Sequence, residues 1–193
     1  MIAGQPPLRR PSRHDQPDAD AELVRAAQAD RQAFGALYHR YLDRVYSYVY
    51  YQLGDHHDAE DVTERTFVAA LDALDRFEER GSTFRSWLFR IAHNAMANQR
   101  RTTSRSRSRT EQLDEALEHP APDDVDATVQ RRDDARRVWR AVAALPIERQ
   151  RVVLLRFVDE LSSREIGEVL GRSEGAVRVL LHRALREVAD RLE

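Results

Sequence analysis

The stretch Leu161–Leu185, LSSREIGEVLGRSEGAVRVLLHRAL, reads as two short helices hinged at a glycine. Ser162 is placed to cap the first helix, and Glu165, three residues on, to reach back and complete a capping box. Ile166, Val169 and Leu170 supply its buried side, and Gly171 ends it, since a left-handed residue after a helix is cheapest without a Cβ. Ser173 caps the next helix, where Val177, Leu180, Leu181, Ala184 and Val188 recur at helical spacing. Gly167 leaves room for the second helix to pass close to the first. Arg178, His182 and Arg186 remain outward, four residues apart and flanked by Arg172 and Arg183. This is the helix-turn-helix arrangement, which seats its second helix in the major groove of DNA. An αα-hairpin in a plain bundle would also carry outward arginines, but amphipathicity alone does not require the small residue, the glycine turn and both capping serines.

Working outward, the rest of the 193-residue chain also reads as helix. Seven glycines, seven prolines, no alternating strand-like stretch and many Ala, Leu, Arg and Glu predict an all-α protein. A first block runs from about Ala21 to Arg101: a helix over 21–29, one from Gln32 to about Leu53, one from about His57 to Phe77, and one over 84–101. The apolar stripes are Phe34, Leu37, Tyr38, Tyr41, Leu42, Val45, Tyr48 and Val49 on the second, and Ala59, Val62, Thr66, Phe67, Ala69, Ala70, Ala73 and Leu74 on the third. On the fourth they are Phe84, Trp87, Leu88, Ile91, Ala92 and Ala95. The opposite face of the third helix carries Asp58, Asp61, Glu64, Arg65, Asp72 and Asp75. From Thr102 the periodicity fades into TTSRSRSRT and then an acidic, proline-bearing stretch, which predicts a flexible linker over 102–131. Helix returns near Val125 and runs to Ala144, and Pro146 starts another to about Phe157. The expected organisation is thus two small helical domains, 21–101 and 132–193, behind a disordered tail of about 20 residues.

The formal net charge of −2 hides a strong sorting of charge. No acidic residue falls between Glu79 and Glu111, while Arg80, Arg85, Arg90, Arg100, Arg101, Arg105, Arg107 and Arg109 all do. A local cationic window of this kind is the footprint of a nucleic-acid surface. The chain has no cysteine, which excludes disulfides, thiolate metal sites and thiol switches and fits a reducing cytoplasm. No apolar run reaches the ~18 residues of a membrane span, and the tail lacks the apolar centre of a signal peptide. No phosphate-binding glycine loop and no nucleophile with its base is present, and adjacent His56 and His57 lack the three- or four-residue spacing of a helical metal pair. Neither enzyme activity nor a cofactor is expected.

Three segments, in this order, resemble the extracytoplasmic-function sigma factors of bacterial RNA polymerase. They are DAEDVTERTFVAAL (58–71), FRSWLFRIAHNAMANQRR (84–101) and ALPIERQRVVLLRFVDELSSREIGEVLGRSEGAVRVLLHRAL (144–185). The resemblance covers 21–101, as sigma region 2, and 132–193, as region 4. It implies that Asp58, Asp61, Glu64 and Arg65 dock on the clamp helices of the polymerase largest subunit, with the flap as a further contact. It also implies that the loop 77–84 takes an unstacked base of the minus-ten element, near Trp87, Phe89 and Asn94. Arg85, Arg90, Arg100 and Arg101 are placed to hold phosphates by charge, and Phe89, Asn94 and Asn98 are the expected exposed partners of the bases. Arg172, Ser173, Glu174, Arg178, His182 and Arg183 would meet the minus-thirty-five element, arginine bridging guanine and glutamate accepting from cytosine. The chain departs from the family at Arg65, where an acid is usual, and at Val179 and Leu180, where a polar then a basic residue is common. An anti-sigma partner is compatible with the apolar surface that two small domains expose. The rival readings are a stand-alone regulator ending in a helix-turn-helix, like response regulators of the LuxR type, and a helical adaptor that binds no DNA.

Overall fold

The computed structural model describes residues 20–79, 82–107 and 137–192, and among these every regular element is helical. The first block holds α1 (Ala21–Ala29), α2 (Phe34–Leu53), α3 (His56–Ala73) and α4 (Phe84–Arg107), with single 3-10 turns before α2 and after α3. The second holds α5 (137–143), α6 (Ile147–Phe157), α7 (Ser163–Leu170) and α8 (Glu174–Leu192). The expected tail, most of the linker and the segment 125–136 lie outside the described residues.

Local chemistry sets the breaks. Gly54 takes the left-handed conformation at φ 75° and stops α2, and Asp55 caps α3 by accepting from the Asp58 N–H at 2.8 Å. The 3-10 turn after α3 is tied to α1 by Gln28, whose Nε2 donates to the carbonyls of Leu74 (3.0 Å) and Phe77 (2.9 Å). α4 runs six residues beyond Arg101, through the start of the Arg/Ser run. Extending a formed helix adds one hydrogen bond per residue fixed, arginine suits a helix, and no glycine or proline intervenes before Pro120.

The predicted apolar stripes are largely buried, with instructive departures. Ala69 faces outward, and Phe89, expected outward, is fully buried edge-on against Tyr48 with ring centroids 5.4 Å apart. α4 is covered on two sides, by α2 and α3 and by α7, so its buried arc is wider than one stripe. Tyr50, Tyr51 and Gln52 are also buried, past the end of the predicted α2 stripe. The second block covers them: Tyr51 stacks on Trp139 at 4.9 Å with planes 4° apart. Gln52 meets Gln150 at 3.3 Å and accepts from Arg151 Nε at 2.9 Å. The two blocks therefore share one continuous core.

Candidate nucleic-acid interface

The helix-turn-helix forms as the sequence dictates. The Ser162 hydroxyl accepts from the Glu165 N–H at 3.2 Å, and the Glu165 carboxylate accepts from the Ser162 N–H at 2.8 Å, completing the capping box. Gly171 sits at φ 64°, and the Arg172 N–H returns to the Gly167 carbonyl at 2.9 Å. A Cβ on Gly167 would lie 2.5 Å from the Arg172 carbonyl oxygen, so the glycine admits the backbone of the turn itself. Ser173 then caps α8, its hydroxyl accepting from the Ala176 N–H at 3.2 Å.

Val177, Ala184 and Val188 turn α8 inward, which leaves Arg172, Ser173, Glu174, Arg178, His182 and Arg183 all exposed. The structure thus brings together every residue assigned to the upstream element. Arg178 is paired with Glu174 one turn away, and Arg172 Nη2 is held by Glu148 Oε2 at 2.6 Å. His182 and Arg183 make no ion pair among the described residues. Such exposed pairs contribute only about 0–1 kcal/mol, so they hold neither arginine firmly in place. Glu148 was not foreseen. It lies in the first turn of α6, and its other oxygen accepts from Arg151 at 2.8 Å.

The residues expected to meet the minus-ten element lie on α4. Arg90, Asn94 and Asn98 are exposed along it, as expected, whereas Phe89 belongs to the core and leaves the set of base contacts. The side chains of Arg100 and Arg101 lie outside the described residues. Trp87 is half-buried, tilted against Phe77 (4.9 Å) and Phe84 (5.5 Å). Arg85 is half-buried: its Nη2 lies 3.6 Å from Glu165, and its Nε is buried without a hydrogen-bond partner among the described residues.

The four residues assigned to polymerase docking divide. Asp58 accepts from Gln99 Nε2 at 2.8 Å, Gln99 Oε1 accepts from Arg65 at 3.0 Å, and Arg65 pairs with Asp61 at 2.7 Å. Glu64 instead helps line an apolar groove of about 450 Å³ between α2 and α3, with Tyr38, Phe67 and Val68. Gln99 was missed. It continues the inward stripe of Leu88, Ala92 and Ala95, and a polar residue in an apolar series was the signal available.

Where the blocks meet, Thr83 Oγ1 donates to Glu165 Oε1 at 2.7 Å, and the single Ser86 hydroxyl proton is shared between the Thr83 carbonyl at 3.0 Å and Glu168 Oε2 at 3.2 Å. Arg44 donates to the Val158 carbonyl at 3.2 Å and approaches Asp159 at 3.7 Å. Burial pushes the Asp159 carboxyl up to about 8, outweighing the opposing pull of Arg44 and Arg85. Burial acts on Glu165 in the same sense, but hydrogen bonds from Ser162 and Thr83, with the Arg85 charge, prevail and hold it below the usual carboxylate range.

Residues 37–106 match the family model Sigma-70 region 2, and residues 135–188 match Sigma-70, region 4. The chain is 38% identical over 186 residues to the ECF RNA polymerase sigma factor BldN of Streptomyces coelicolor, an alignment covering 91% of this chain and 69% of that one. The chain belongs to the ECF RNA polymerase sigma factors. It is also 32% identical to SigE of Mycolicibacterium smegmatis (86% of this chain, 63% of that one). With SigW of Bacillus subtilis it shares 26% identity (88% and 94%). Among solved structures it resembles CnrH in complex with the cytosolic domain of CnrY, at TM-score 0.62 and 28% identity over 91% of this chain and 97% of that one. It also shares its fold with RpoE of Bartonella quintana, solved with the anti-sigma factor NepR, at TM-score 0.68 and 21% identity over 82% and 96%. The two matched regions correspond to the two helical blocks, so this sigma factor carries its α3 and α4 surfaces in region 2 and its helix-turn-helix in region 4.

Proposed function

We propose that this sigma factor joins RNA polymerase core through α3, reads the upstream promoter element with α8 and opens the start-proximal element with the α4 surface. The chemistry of initiation belongs to the polymerase, and the chain supplies position and charge in the cytoplasm, where the polymerase acts. The observation that carries this reading is the α8 face: a capped helix follows a glycine turn, and the helix with the two residues before it holds Arg172, Ser173, Glu174, Arg178, His182 and Arg183 outward. Glu64, exposed on α3, and the half-buried Asp61, paired with Arg65, supply the carboxylates for docking, and the Gln99 bridge fixes the orientation of Asp58 and Arg65. An α/β receiver domain ahead of the motif, the mark of a LuxR-type regulator, has no counterpart in the helical first block. The RpoE structure that shares this fold was solved with the anti-sigma factor NepR, and a partner of that kind is part of the reading.

Co-elution with purified bacterial core enzyme tests the docking assignment. The native chain is expected to co-elute, and the double variant Asp61→Lys with Glu64→Lys to elute separately while keeping its helical circular dichroism. Unchanged association of the variant overturns the assignment of α3.

A further inference from the structure

We infer that the groove between α2 and α3 seats the chain's own segment 6–13, PPLRRPSR, which must leave before the polymerase docks there. The displacement step rests on the assignment of α3 to polymerase docking; the seat itself does not. The groove, about 450 Å³, has Tyr38 and Val68 exposed at its opening and Phe34 and Phe67 buried in its wall. Thr63 also lines it, and the Thr63 hydroxyl is buried with no hydrogen-bond partner among the described residues. Three residues on, Thr66 shows the usual solution for a helical threonine, donating to the Val62 carbonyl at 2.7 Å. A buried polar atom without a partner costs stability unless an occupant supplies one. Glu60 and Glu64 complete the lining, both exposed and without an ion pair among the described residues. The groove is therefore apolar, edged with negative charge and short of one hydrogen-bond partner.

The segment has the complementary chemistry. It holds three prolines, three arginines and Leu8, and no acid. Proline favours the polyproline II conformation, with three residues per turn, so Leu8 and Pro11 fall on one edge and Arg10 and Arg13 on another. Aromatic-lined grooves receive such pre-extended segments at low entropic cost. The apolar edge suits Tyr38, Phe67 and Val68, the cationic edge suits Glu60 and Glu64, and the free backbone groups of a polyproline strand offer the Thr63 hydroxyl its partner. The reach is sufficient as well. Residues 1–19 lie outside the described residues, and Asp20, where description begins, is held on α2 by Tyr41 and by Arg40 at 3.2 Å. Tyr38 of the groove stands three residues before Tyr41 on the same helix. The seven steps from Arg13 to Asp20 extend to about 24 Å, enough to pass round a helix about 10–12 Å wide. A tether this short keeps the segment at an effective concentration in the millimolar range, so weak contacts suffice to fill the groove. Glu64 belongs to the docking set, so segment and core enzyme compete for one carboxylate.

Photocross-linking of the full chain tests the seat. Leu8→benzoylphenylalanine keeps an apolar group at that position, and illumination should join it, within one chain and at a yield independent of protein concentration, to the groove residues of α2 and α3. Arg10→Glu should lower the yield about fivefold, the scale of one exposed ion pair turned to repulsion, and adding Glu60→Arg should restore most of it. Gly35 lines the groove where a Cβ would meet nothing within 4 Å, so Gly35→Leu fills the space without changing charge and should lower the yield too. Having lost its competitor, the Arg10→Glu chain should bind core enzyme about threefold more tightly than the native chain. Cross-links scattered over both blocks, links between two copies, or a yield unmoved by Arg10→Glu each overturn the inference, as does equal core affinity of the native and Arg10→Glu chains. If neither chain binds core enzyme, the assignment of α3 to docking fails instead, and the cross-links still decide what fills the groove.

Discussion

Gly167 shows how much a single residue carries. Its missing Cβ is what lets the Arg172 carbonyl sit where an alanine methyl would lie 2.5 Å away. Backbone cannot yield as a flexible side-chain tip can, so Gly167→Ala should destabilise the second block by about 1–3 kcal/mol, the usual scale of overpacking. Thermal unfolding measures this, and an unchanged midpoint would contradict the close approach. Arg178→Ala acts differently: it removes an exposed side chain whose ion pair, among the described residues, is with Glu174, so folding should be untouched. Promoter discrimination should fall by about 1–3 kcal/mol at one base position if Arg178 bridges a guanine, with core binding unaffected. Equal use of all promoters by the native chain and the variant would remove that role. These residues were legible in the sequence because capping, turn and exposure are local properties. Phe89 was not, because its burial depends on Tyr48 of another helix and on a third element across α4.

Elements follow the same division. α1, α2, α7 and α8 lie close to where periodicity and caps put them, since Gly54, Asp55, Ser162 and Gly171 each act on their own neighbours. α4 outran its predicted end because a serine- and arginine-rich run is permissive: it neither demands helix nor forbids one continuing into it. On α3, residues predicted as one docking face separate into a bridged set joined to α4 through Gln99 and a groove-facing Glu64. Helical spacing gives the angle of a residue around its own axis, but not which neighbour stands beside it. Gln99→Ala should weaken core association less than the Asp61 and Glu64 double reversal, since it frees Asp58 and Arg65 to rotate without removing charge. Titration of fluorescently labelled chain with core enzyme would measure both, and a larger loss in the alanine variant would reverse the assignment of what α3 presents.

At the scale of the whole molecule, the junction between the blocks was the least legible feature, because polar residues such as Gln52, Arg44 and Asp159 become junction residues only once the blocks meet. It also predicts a pH response. Asp159 is faced by Arg44 from α2 and Arg85 from α4, and Glu165 of α7 competes for Arg85. With its carboxyl raised to about 8 when buried, against 3.8 ordinarily, the closed chain holds a proton that an opened chain releases. The contribution to closure is therefore complete below the ordinary value and is lost as pH rises through that window. Small-angle scattering should show the radius of gyration growing as pH climbs from about 6 to about 8, and Asp159→Asn should suppress that growth. A native profile flat over this range, or an identical rise in the variant, would contradict it. The account as a whole is tested most directly by run-off transcription from a genomic promoter library with bacterial core enzyme, with and without this chain. It predicts discrete transcripts that appear only when the chain is present and fade when Arg178 and Arg183 are both replaced by alanine; a library yielding no chain-dependent transcript would contradict it.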